Sequence, residues 1–305
     1  MNVLVTGAGV IGCHTARLLL EQGHGVVLLD VAPNMEAVAS IIDPRAIPIA
    51  KLDVTDSEAL EALIKEKSIE RVIHTAALMT AACRQNPYRG INVNVMGTTA
   101  ILDLARRGLV SRVVHSSSNV VDAPETSVYA LTKFLSERVA RMYRTSYGVE
   151  TVSLRYAAVL GAWKGPPTSI PARLLRLLVD AAVQQRVAVI DDPMLIWQGV
   201  DSFVDSRDCA AANVAAVLAE KPVTAVYDVA PPRGLAFSDI IAAIEQRYPD
   251  FKTDFRVSTE KGFAGYPVKT DIQIDTSIAQ REIGFTTQHS IGDTIEEAAR
   301  FASAF

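Results

Sequence analysis

The chain has 305 residues, with 34 acidic and 30 basic side chains, a formal net charge of −4 and 49% hydrophobic residues. This length suits one large or two ordinary domains with a substantial core, and a charged fraction of 21% excludes a disordered, collagenous or coiled-coil chain. The acidic balance argues against a nucleic-acid partner, because binding to phosphate backbones requires clustered Lys and Arg.

The three cysteines are Cys13, Cys83 and Cys209, and no CxxC spacing occurs. Widely spaced, unpaired cysteines are typical of a reducing cytoplasm. The N-terminal residues lack a basic segment followed by an apolar one, and no run of about 18 apolar residues is present. We therefore expect a cytoplasmic protein that neither is secreted nor spans a membrane.

The first half of the chain alternates short apolar runs with longer amphipathic stretches. The predicted strands are Asn2–Val5, Gly25–Asp30, Ile47–Leu52, Arg71–Thr75, Arg112–Ser116 and Thr151–Arg155. The predicted helices between them are Ile11–Gln22, Asp56–Lys67, Val93–Arg107 and Val128–Tyr147. Because the strands are continuous Val/Ile/Leu runs, helices are expected on both faces of a parallel sheet. This pattern predicts an α/β fold with a doubly wound, Rossmann-like sheet.

The rhythm changes after about residue 157. A Pro/Gly-rich stretch at 161–167 precedes a helix at Ile170–Gln184, a strand near Ala225–Val229 and a helix near Phe237–Arg247. We predict that residues 1–160 form a dinucleotide-binding Rossmann domain to which later strands return from about 185–230. Residues 161–305 are predicted to form mainly a smaller, interleaved substrate-binding lobe.

A glycine motif follows the first predicted strand. Gly7, Gly9 and Gly12 form GxGxxG between that strand and a helix, where Val10 and Ile11 lie inside the motif. Glycines permit a tight turn and allow a pyrophosphate to approach the helix N-terminus. A purely structural turn is the alternative, but the strand before and the apolar helix after it favour dinucleotide binding.

Asp30 ends the second predicted strand, 23 residues beyond Gly7. A carboxylate there can accept hydrogen bonds from both adenine-ribose hydroxyls and repels a 2′-phosphate, so NAD is preferred to NADP. A capping role for Asp30 is the alternative. Asp53 ends the third strand before Val54 and either meets the adenine edge or caps the next helix. The spacing of Thr55 and Glu58 indicates a capping box at that helix.

Tyr129 and Lys133 lie one helical turn apart on the same face. A phenol is a poor base at neutral pH, and a nearby ammonium is expected to lower its pKa. Tyr248 and Lys252 have the same spacing, but Pro249 indicates a helix end or turn there. Tyr129 differs because it follows a strand that ends in three serines at the sheet edge where α/β proteins bind ligands.

These motifs together resemble the extended short-chain dehydrogenases/reductases, the NAD-dependent epimerase/dehydratase family, in order and in rough spacing. The residues that carry the resemblance are Thr6–Gly12, Asp30, Asp53, His74–Ala77, Asn94–Thr98, Ser116–Ser118, Tyr129 with Lys133, Arg155–Tyr156, Phe203–Asp208 and Asp275–Phe285. The resemblance covers almost the whole chain.

The resemblance implies a role for each matching residue. Tyr129 is the expected acid/base, Lys133 its electrostatic partner, and Ser118 the ligand of the substrate hydroxyl, with Ser117 as the second choice. Asn94 is expected to shape the helix behind the active site, although an exposed helix asparagine is the alternative. The residues expected to contact NAD are Gly7, Gly9, Val10, Ile11, Gly12, Asp30, Asp53, Val54, Ala76, Ala77, Asn94, Ser116, Tyr129 and Lys133. His74 and His115 lie in apolar strands and are expected to have a core or sheet-edge role.

Three departures from the family pattern bear on the substrate. Only ten residues separate Ser118 from Tyr129, which shortens a loop that usually walls the pocket. Asn119 and Val120 stand where family dehydratases carry two acids, so elimination of water is not expected. Ala158 and Asp201 stand where sugar-nucleotide members often carry an asparagine and an arginine for the diphosphate. An aspartate facing the pocket would repel that diphosphate.

We therefore predict an NAD-dependent oxidoreductase that acts at a secondary alcohol of a small polyhydroxylated substrate, a sugar or sugar acid. An NAD-dependent sugar or nucleotide-sugar epimerase with the same residues is the alternative, and a non-catalytic dinucleotide-sensing regulator is a second one. No metal motif occurs. The family resemblance implies a homodimer formed by the helices around Val93–Arg107 and Val128–Tyr147. Further pocket candidates are Met79, Trp163, Lys164, Trp197, Arg207 and Arg233.

Overall fold

A computed structural model describes residues 1–302 of the chain. Its main sheet has seven parallel strands, which are β1 Asn2–Thr6, β2 Gly25–Asp30, β3 Ile49–Lys51, β4 Arg71–His74, β5 Arg112–Ser118, β6 Thr151–Tyr156 and β10 Val226–Val229. Their order across the sheet is β3-β2-β1-β4-β5-β6-β10. The predicted doubly wound Rossmann-like sheet is confirmed, and its strand order reverses between β1 and β4, where such folds bind ligands.

Twelve α-helices are present within the described residues. They are α1 Val10–Glu21, α2 Met35–Ala39, α3 Ser57–Glu66, α4 Thr80–Gln85, α5 Pro87–Ile91, α6 Gly97–Arg106, α7 Val128–Tyr147, α8 Ile170–Val183, α9 Ser206–Leu218, α10 Phe237–Arg247, α11 Ser277–Ile283 and α12 Ile291–Ala302. The predicted helix Val93–Arg107 is divided, because a π-helical turn over Asn92–Met96 precedes α6. None of the helices in residues 1–302 is long and apolar enough to cross a membrane.

The central strand explains why its sequence lacks alternation. Val3 and Val5 of β1 pack into the core on one side of the sheet, and Leu4 packs into the core on the other. All three side chains are fully buried. Helices cover both faces, so the three central positions of the strand are all apolar.

Sequence periodicity does not reveal α9. Nine of its side chains are buried, because it packs against α1 on one side and against the sheet on the other. A helix buried all around has no polar face, so its sequence carries no amphipathic period. Small residues, mostly alanine, allow this close packing.

Two arginines bind the carbonyl end of α9, and a third binds the loop that follows it. Arg112 is 1% exposed and donates to the carbonyl oxygens of Ala216 and Val217 at 3.2 and 3.0 Å, while its Nε donates to Glu150 at 2.9 Å. Arg71 also binds the carbonyl oxygen of Val217, and Arg144 binds those of Pro222 and Val223 in the following loop. Cations at this end satisfy the unpaired carbonyls of the helix.

The remaining strands form two small parallel sheets beside the main one. β7 Ala158–Leu160 pairs with β9 Phe203–Asp205, and β8 Val187–Ile190 pairs with β11 Lys252–Phe255. Around them lies a separate core in which the ring of Trp197 is 5.1 Å from the rings of three phenylalanines. Residues 303–305 of the predicted substrate lobe lie outside the described residues.

Candidate active site

A large cleft opens at the carboxyl edge of the main sheet and encloses about 1800 Å³. One half is formed by the glycine turn after β1 and by the ends of β2 and β4, and the other by β5, α7 and loops from the second half of the chain. This position at the reversal of strand order, with its volume, accommodates a dinucleotide together with a small substrate.

The glycine turn has the geometry that a pyrophosphate requires. Gly7 has φ +90°, and a Cβ there would lie 2.8 Å from the backbone nitrogen of Ala76. A Cβ on Gly12 would lie 1.9 Å from the carbonyl oxygen of Gly7, whereas a Cβ on Gly9 would meet no atom within 4 Å. Gly9 caps α1 without a side-chain hydrogen bond, and the first turn of α1 has no acidic residue. The helix N-terminus therefore offers free N–H groups and an open cradle for a bound anion.

Asp30 connects the glycine turn to the end of β2. Its Oδ2 accepts from the backbone N–H of Ala8 and its Oδ1 from that of Ala32, both at 2.8 Å. Each carboxylate oxygen retains a lone pair on the cleft side, where ribose hydroxyls can donate. The residues fit an NAD adenosine half.

Asp53 also lines the cleft, but it does not cap α3. Its Oδ1 accepts from the backbone N–H of Thr55 at 2.9 Å and from the hydroxyl of Thr55 at 2.8 Å. The helix is capped instead by Asp56, whose Oδ1 accepts from Ala59 N–H at 3.0 Å. The predicted Thr55–Glu58 capping box is therefore wrong by one residue, because the hydroxyl of Thr55 is used by Asp53.

Tyr129 lies in the first turn of α7, where Ser127 caps the helix by accepting from Ala130 N–H at 3.1 Å. Lys133 follows one turn later, and its ammonium lies 5.8 Å from the centre of the Tyr129 ring. Both side chains line the cleft beside the end of β5. The ammonium donates to the carbonyl oxygen of Ser116 at 2.7 Å, which holds it against the sheet edge.

Burial controls the titration of this pair. It raises the pKa of the Tyr129 phenol above its ordinary value, with smaller contributions from Tyr266 and Cys83, and it lowers the pKa of Lys133 to about 8. On balance the pKa of Tyr129 is therefore raised, because burial outweighs the lowering that a nearby ammonium was expected to cause. The ammonium donates to a carbonyl rather than to the phenol, so desolvation of the phenol dominates.

The serine run ends β5 with two differently engaged hydroxyls. Ser117 Oγ donates to Glu137 at 2.8 Å, and Glu137 accepts from Arg155 at 2.7 and 2.9 Å. Among residues 1–302, Ser118 Oγ makes only long contacts, at 3.4 Å to the N–H of Val120 and 3.5 Å to the side-chain oxygen of Asn119. Ser118 thus has the hydroxyl that is free to bind a ligand.

Both strand histidines are core residues, as predicted. His74 binds Thr6 at 2.7 Å and Thr98 at 3.1 Å, so both of its ring nitrogens are satisfied. His115 stacks on His74 with ring centres 6.1 Å apart. Burial lowers the pKa of His74 to about 3 and that of His115 in the same direction, so both rings are neutral.

Asn94 is the one predicted cofactor residue that the structure does not bring to the cleft. It is 2% exposed, and its amide binds the backbone N–H and carbonyl of Leu78 at 2.7 and 3.0 Å and the hydroxyl of Thr132 at 2.9 Å. These hydrogen bonds engage the Asn94 amide behind the cleft lining, where it connects α7 to the loop after β4. The expectation that Asn94 shapes the helix behind the site agrees with this position.

The further pocket candidates divide into two groups. Met79 and Trp163 line the cleft, whereas Lys164, Trp197, Arg207 and Arg233 do not. Trp197 packs among aromatic rings, and Arg207 pairs with Asp205 at 2.7 Å. The predictions omitted Tyr266 and Lys269, which line the cleft from the segment between β11 and α11. That segment has no periodic pattern, so the available sequence signal for a site there was a Tyr and a Lys near a Pro/Gly turn.

One family has this combination of a glycine turn, an acid after the second strand, a serine at the end of β5, and a tyrosine and lysine on α7. Residues 3–230 match the family model described as the NAD dependent epimerase/dehydratase family. The chain belongs to this family. It is accordingly an NAD-dependent enzyme of the short-chain dehydrogenase/reductase type, and the resemblance seen in the sequence is confirmed.

Similar proteins extend over the whole length. The chain is 27% identical to a UDP-glucose 4-epimerase from Neisseria meningitidis, a match that covers 99% of this chain and 97% of the relative. A UDP-glucose-4-epimerase from Stenotrophomonas maltophila with bound NAD has TM-score 0.83 and 26% identity, covering 100% and 98% of the two chains. An L-threonine dehydrogenase from Cupriavidus necator in its holo form shares the fold, with TM-score 0.82, 22% identity and coverage of 98% and 99%.

Proposed function

We propose that the enzyme oxidises a secondary alcohol of a small polyhydroxylated substrate, a sugar or sugar acid, with NAD as hydride acceptor. The observation that carries this proposal is that Ser118, Tyr129 and Lys133 all line the cleft that starts at the glycine turn, with the Lys133 ammonium 5.8 Å from the centre of the Tyr129 ring. A hydroxyl donor, a phenol and an ammonium at a dinucleotide site are the groups that alcohol oxidation needs.

Each of the three side chains has a distinct role in this proposal. Ser118, whose hydroxyl has only long contacts, donates to the substrate oxygen. Tyr129 removes the hydroxyl proton, and the positive charge of Lys133 stabilises the phenolate against the burial that raises its pKa. Lys133, with a pKa of about 8, is mostly protonated at pH 7. When bound, NAD supplies the carbon that accepts the hydride.

The cofactor half of the cleft supports the assignment of NAD contacts. We propose that the free N–H groups of the α1 N-terminus bind the pyrophosphate and that Asp30 binds the adenine ribose. The other predicted contact residues that line the cleft are Gly7, Gly9, Val10, Ile11, Gly12, Asp53, Val54, Ala76, Ala77, Ser116, Tyr129 and Lys133.

Epimerisation is the second candidate, because several relatives are named UDP-glucose 4-epimerases. The same three side chains serve both reactions, since an epimerase returns the hydride to the other face of a bound ketone. Net NADH formation with a panel of sugars and sugar acids supports a dehydrogenase. Isomerisation of a panel member without added NAD supports an epimerase.

Tyr129→Phe tests the proposal. The variant removes the phenolic oxygen of residue 129 and retains the ring, so we expect turnover to fall by about 10²- to 10⁴-fold while NAD affinity is unchanged. Turnover is measured as NADH absorbance and NAD affinity by fluorescence titration. Unchanged turnover would show that Tyr129 is not the acid/base. An intact chain that binds NAD and turns over no panel member in either assay would favour the sensing regulator.

We also propose a homodimer formed through α6 and α7. Exposed apolar side chains lie on α7 and on the segment from α5 to the start of α6, which packs against it: Tyr88, Ile91, Met96, Leu131, Met142 and Tyr147. Such a patch is typical of an interface. Leu131→Glu with Met142→Glu should convert the dimer into a monomer in light scattering, and a wild-type monomer at micromolar concentration would exclude the dimer.

We propose that the division of the chain follows its two cores, with residues 1–160 and the returning strand β10 holding the cofactor and 161–305 contributing mainly to substrate binding. Cys13, Cys83 and Cys209 are all buried free thiols, which supports a cytoplasmic location. Proteolysis in the presence of NAD, with fragments assigned by mass, tests the division.

A further inference from the structure

An ion pair lies in the substrate half of the cleft. The ammonium of Lys269 is 3.0 Å from Asp201 Oδ1. The Asp201 side chain is 7% exposed and that of Lys269 is 42% exposed, and both residues line the cleft. The carboxylate is therefore set into the wall, and the ammonium extends towards the space that a substrate occupies.

The backbone around this pair is held in place on both sides. Val200 N–H donates to the carbonyl oxygen of Lys269 at 2.8 Å, and Asp201 and Leu235 exchange two backbone hydrogen bonds at 3.0 and 2.8 Å. Gly199 has φ +71°, and a Cβ there would lie 2.2 Å from the Lys269 carbonyl oxygen. The close approach of the two segments thus depends on a glycine, and it presents the charged pair in one geometry.

Backbone hydrogen bonds and a shared segment connect this pair to the proposed reaction centre. Ser118 is in register with Tyr156 at the end of β6, and two residues later Ala158 N–H donates to the carbonyl oxygen of Ser202 at 3.0 Å. Tyr266, on the segment that carries Lys269, is close enough to contribute to the raised pKa of Tyr129. The pair and the reacting groups therefore belong to one substrate space.

The pair retains unused hydrogen-bonding capacity. Asp201 Oδ1 accepts from Lys269 and from the N–H of Ser202 at 2.8 Å, but Oδ2 has no hydrogen-bond partner among residues 1–302. An ammonium has three donors, and one is used here. An acceptor and donors thus stand side by side, and the charges of the pair cancel.

We propose that the Asp201–Lys269 pair binds two neighbouring hydroxyls of an uncharged free sugar or polyol and excludes nucleoside diphosphate sugars. One hydroxyl donates to Asp201 Oδ2, and the other accepts from the Lys269 ammonium. This inference rests on the proposed function, because it names the substrate class of the same site.

Charge explains the discrimination. A diphosphate needs net positive charge, but the only cation of the pair is neutralised by Asp201. Arg173 pairs with Asp192 at 3.0 Å, and Arg176 donates to the carbonyl oxygens of Trp163 and Gly165 at 3.0 Å. These two arginines are engaged with protein groups, so a diphosphate placed beside the pair would meet the Asp201 carboxylate next to a lysine that is already paired.

The first experiment uses UDP as probe and needs no known substrate. Calorimetric titration of the NAD-loaded enzyme should show UDP binding to Asp201→Arg at least about tenfold tighter than to wild type, because the anion is replaced by a cation beside Lys269. The matched control is Asp254→Arg, which reverses an exposed carboxylate paired with Arg256 at 3.0 Å outside the cleft and should leave UDP binding at the wild-type level. Thermal unfolding and NAD titration confirm that both variants are folded.

The second experiment measures NADH formation from free aldoses, alditols, aldonic acids and UDP-glucose. Asp201→Asn and Lys269→Met should each raise the KM for the best neutral substrate by about 10- to 100-fold, with little change in kcat and in NAD affinity. An aldonic acid with a much lower KM than its aldose, turnover of UDP-glucose by the wild type, or equal UDP binding by wild type and Asp201→Arg would overturn the inference.

The two proposals fail separately. Retained turnover in Tyr129→Phe contradicts the proposed function whatever the ion pair does. Loss of turnover in Tyr129→Phe together with an unchanged KM in Asp201→Asn and Lys269→Met contradicts only the hydroxyl-binding pair. If no panel member turns over, the UDP titration still decides, since tight binding to wild type or no gain in Asp201→Arg refutes the exclusion of diphosphates.

Discussion

Ser117 and Ser118 are adjacent, yet their replacement by alanine should have opposite consequences. Ser118 Oγ makes contacts only at 3.4 and 3.5 Å, so Ser118→Ala should change the free energy of unfolding by less than about 0.5 kcal/mol. If this hydroxyl binds the substrate oxygen, kcat should fall by about 10²- to 10³-fold, as when one donor is removed from a transition-state oxygen.

Ser117→Ala is the matched control. Its hydroxyl donates at 2.8 Å to the buried carboxylate of Glu137, so its loss should cost about 1–3 kcal/mol of folding free energy. For a chain of this size that corresponds to a fall of roughly 2–6 °C in melting temperature. Since Arg155 still binds Glu137, the charge remains paired, and kcat should stay within a few-fold of wild type.

The assay combines urea unfolding, NAD titration and NADH formation with the best panel substrate for both variants. The expected pattern is an inactive, stable Ser118→Ala and an active, less stable Ser117→Ala. If Ser117→Ala is the stable, inactive variant, then its hydroxyl leaves Glu137 when substrate binds, and the assignment of the substrate ligand to Ser118 is refuted.

Three further predictions concern the glycine turn, the arginine at the end of α9 and the pH dependence of stability. Gly9→Ala should leave the melting temperature unchanged but weaken NAD binding by about tenfold or more, because its Cβ enters the open space for the pyrophosphate. Gly12→Ala should lower the melting temperature and weaken NAD binding, because its Cβ would be 1.9 Å from the carbonyl oxygen of Gly7. Arg112→Met should lower the free energy of unfolding, measured by urea denaturation, by about 3–5 kcal/mol, because Glu150 and the carbonyls at the end of α9 lose a buried cation. A loss below about 1 kcal/mol would show that water replaces the guanidinium. His14 and His74 have folded pKa values of about 4 and 3, so the folded state binds fewer protons than the unfolded one and stability should fall by about 2 kcal/mol per histidine between pH 6.5 and 5. Equal urea midpoints at pH 5 and pH 7 would contradict this.

The sequence alone was sufficient for the sheet, the cofactor turn and the tyrosine–lysine pair. Each depends on local information: runs of apolar residues for strands buried on both faces, glycines where a Cβ cannot fit, and a spacing of four residues for one helical face. The same reasoning missed α9, since a helix in contact with protein all around has no polar side to give its sequence a period.

Tertiary structure alone decided how the remaining polar groups are used. The sequence ranked Ser118 above Ser117 only through the family resemblance, whereas the structure separates their hydroxyls because Glu137, from α7, accepts from that of Ser117. Asp201 and Lys269 are 68 residues apart and become a pair only because Gly199 lets two segments meet. A side chain's hydrogen-bond partners come from whichever segments pack against it, and neither residue type nor spacing along the chain specifies those segments.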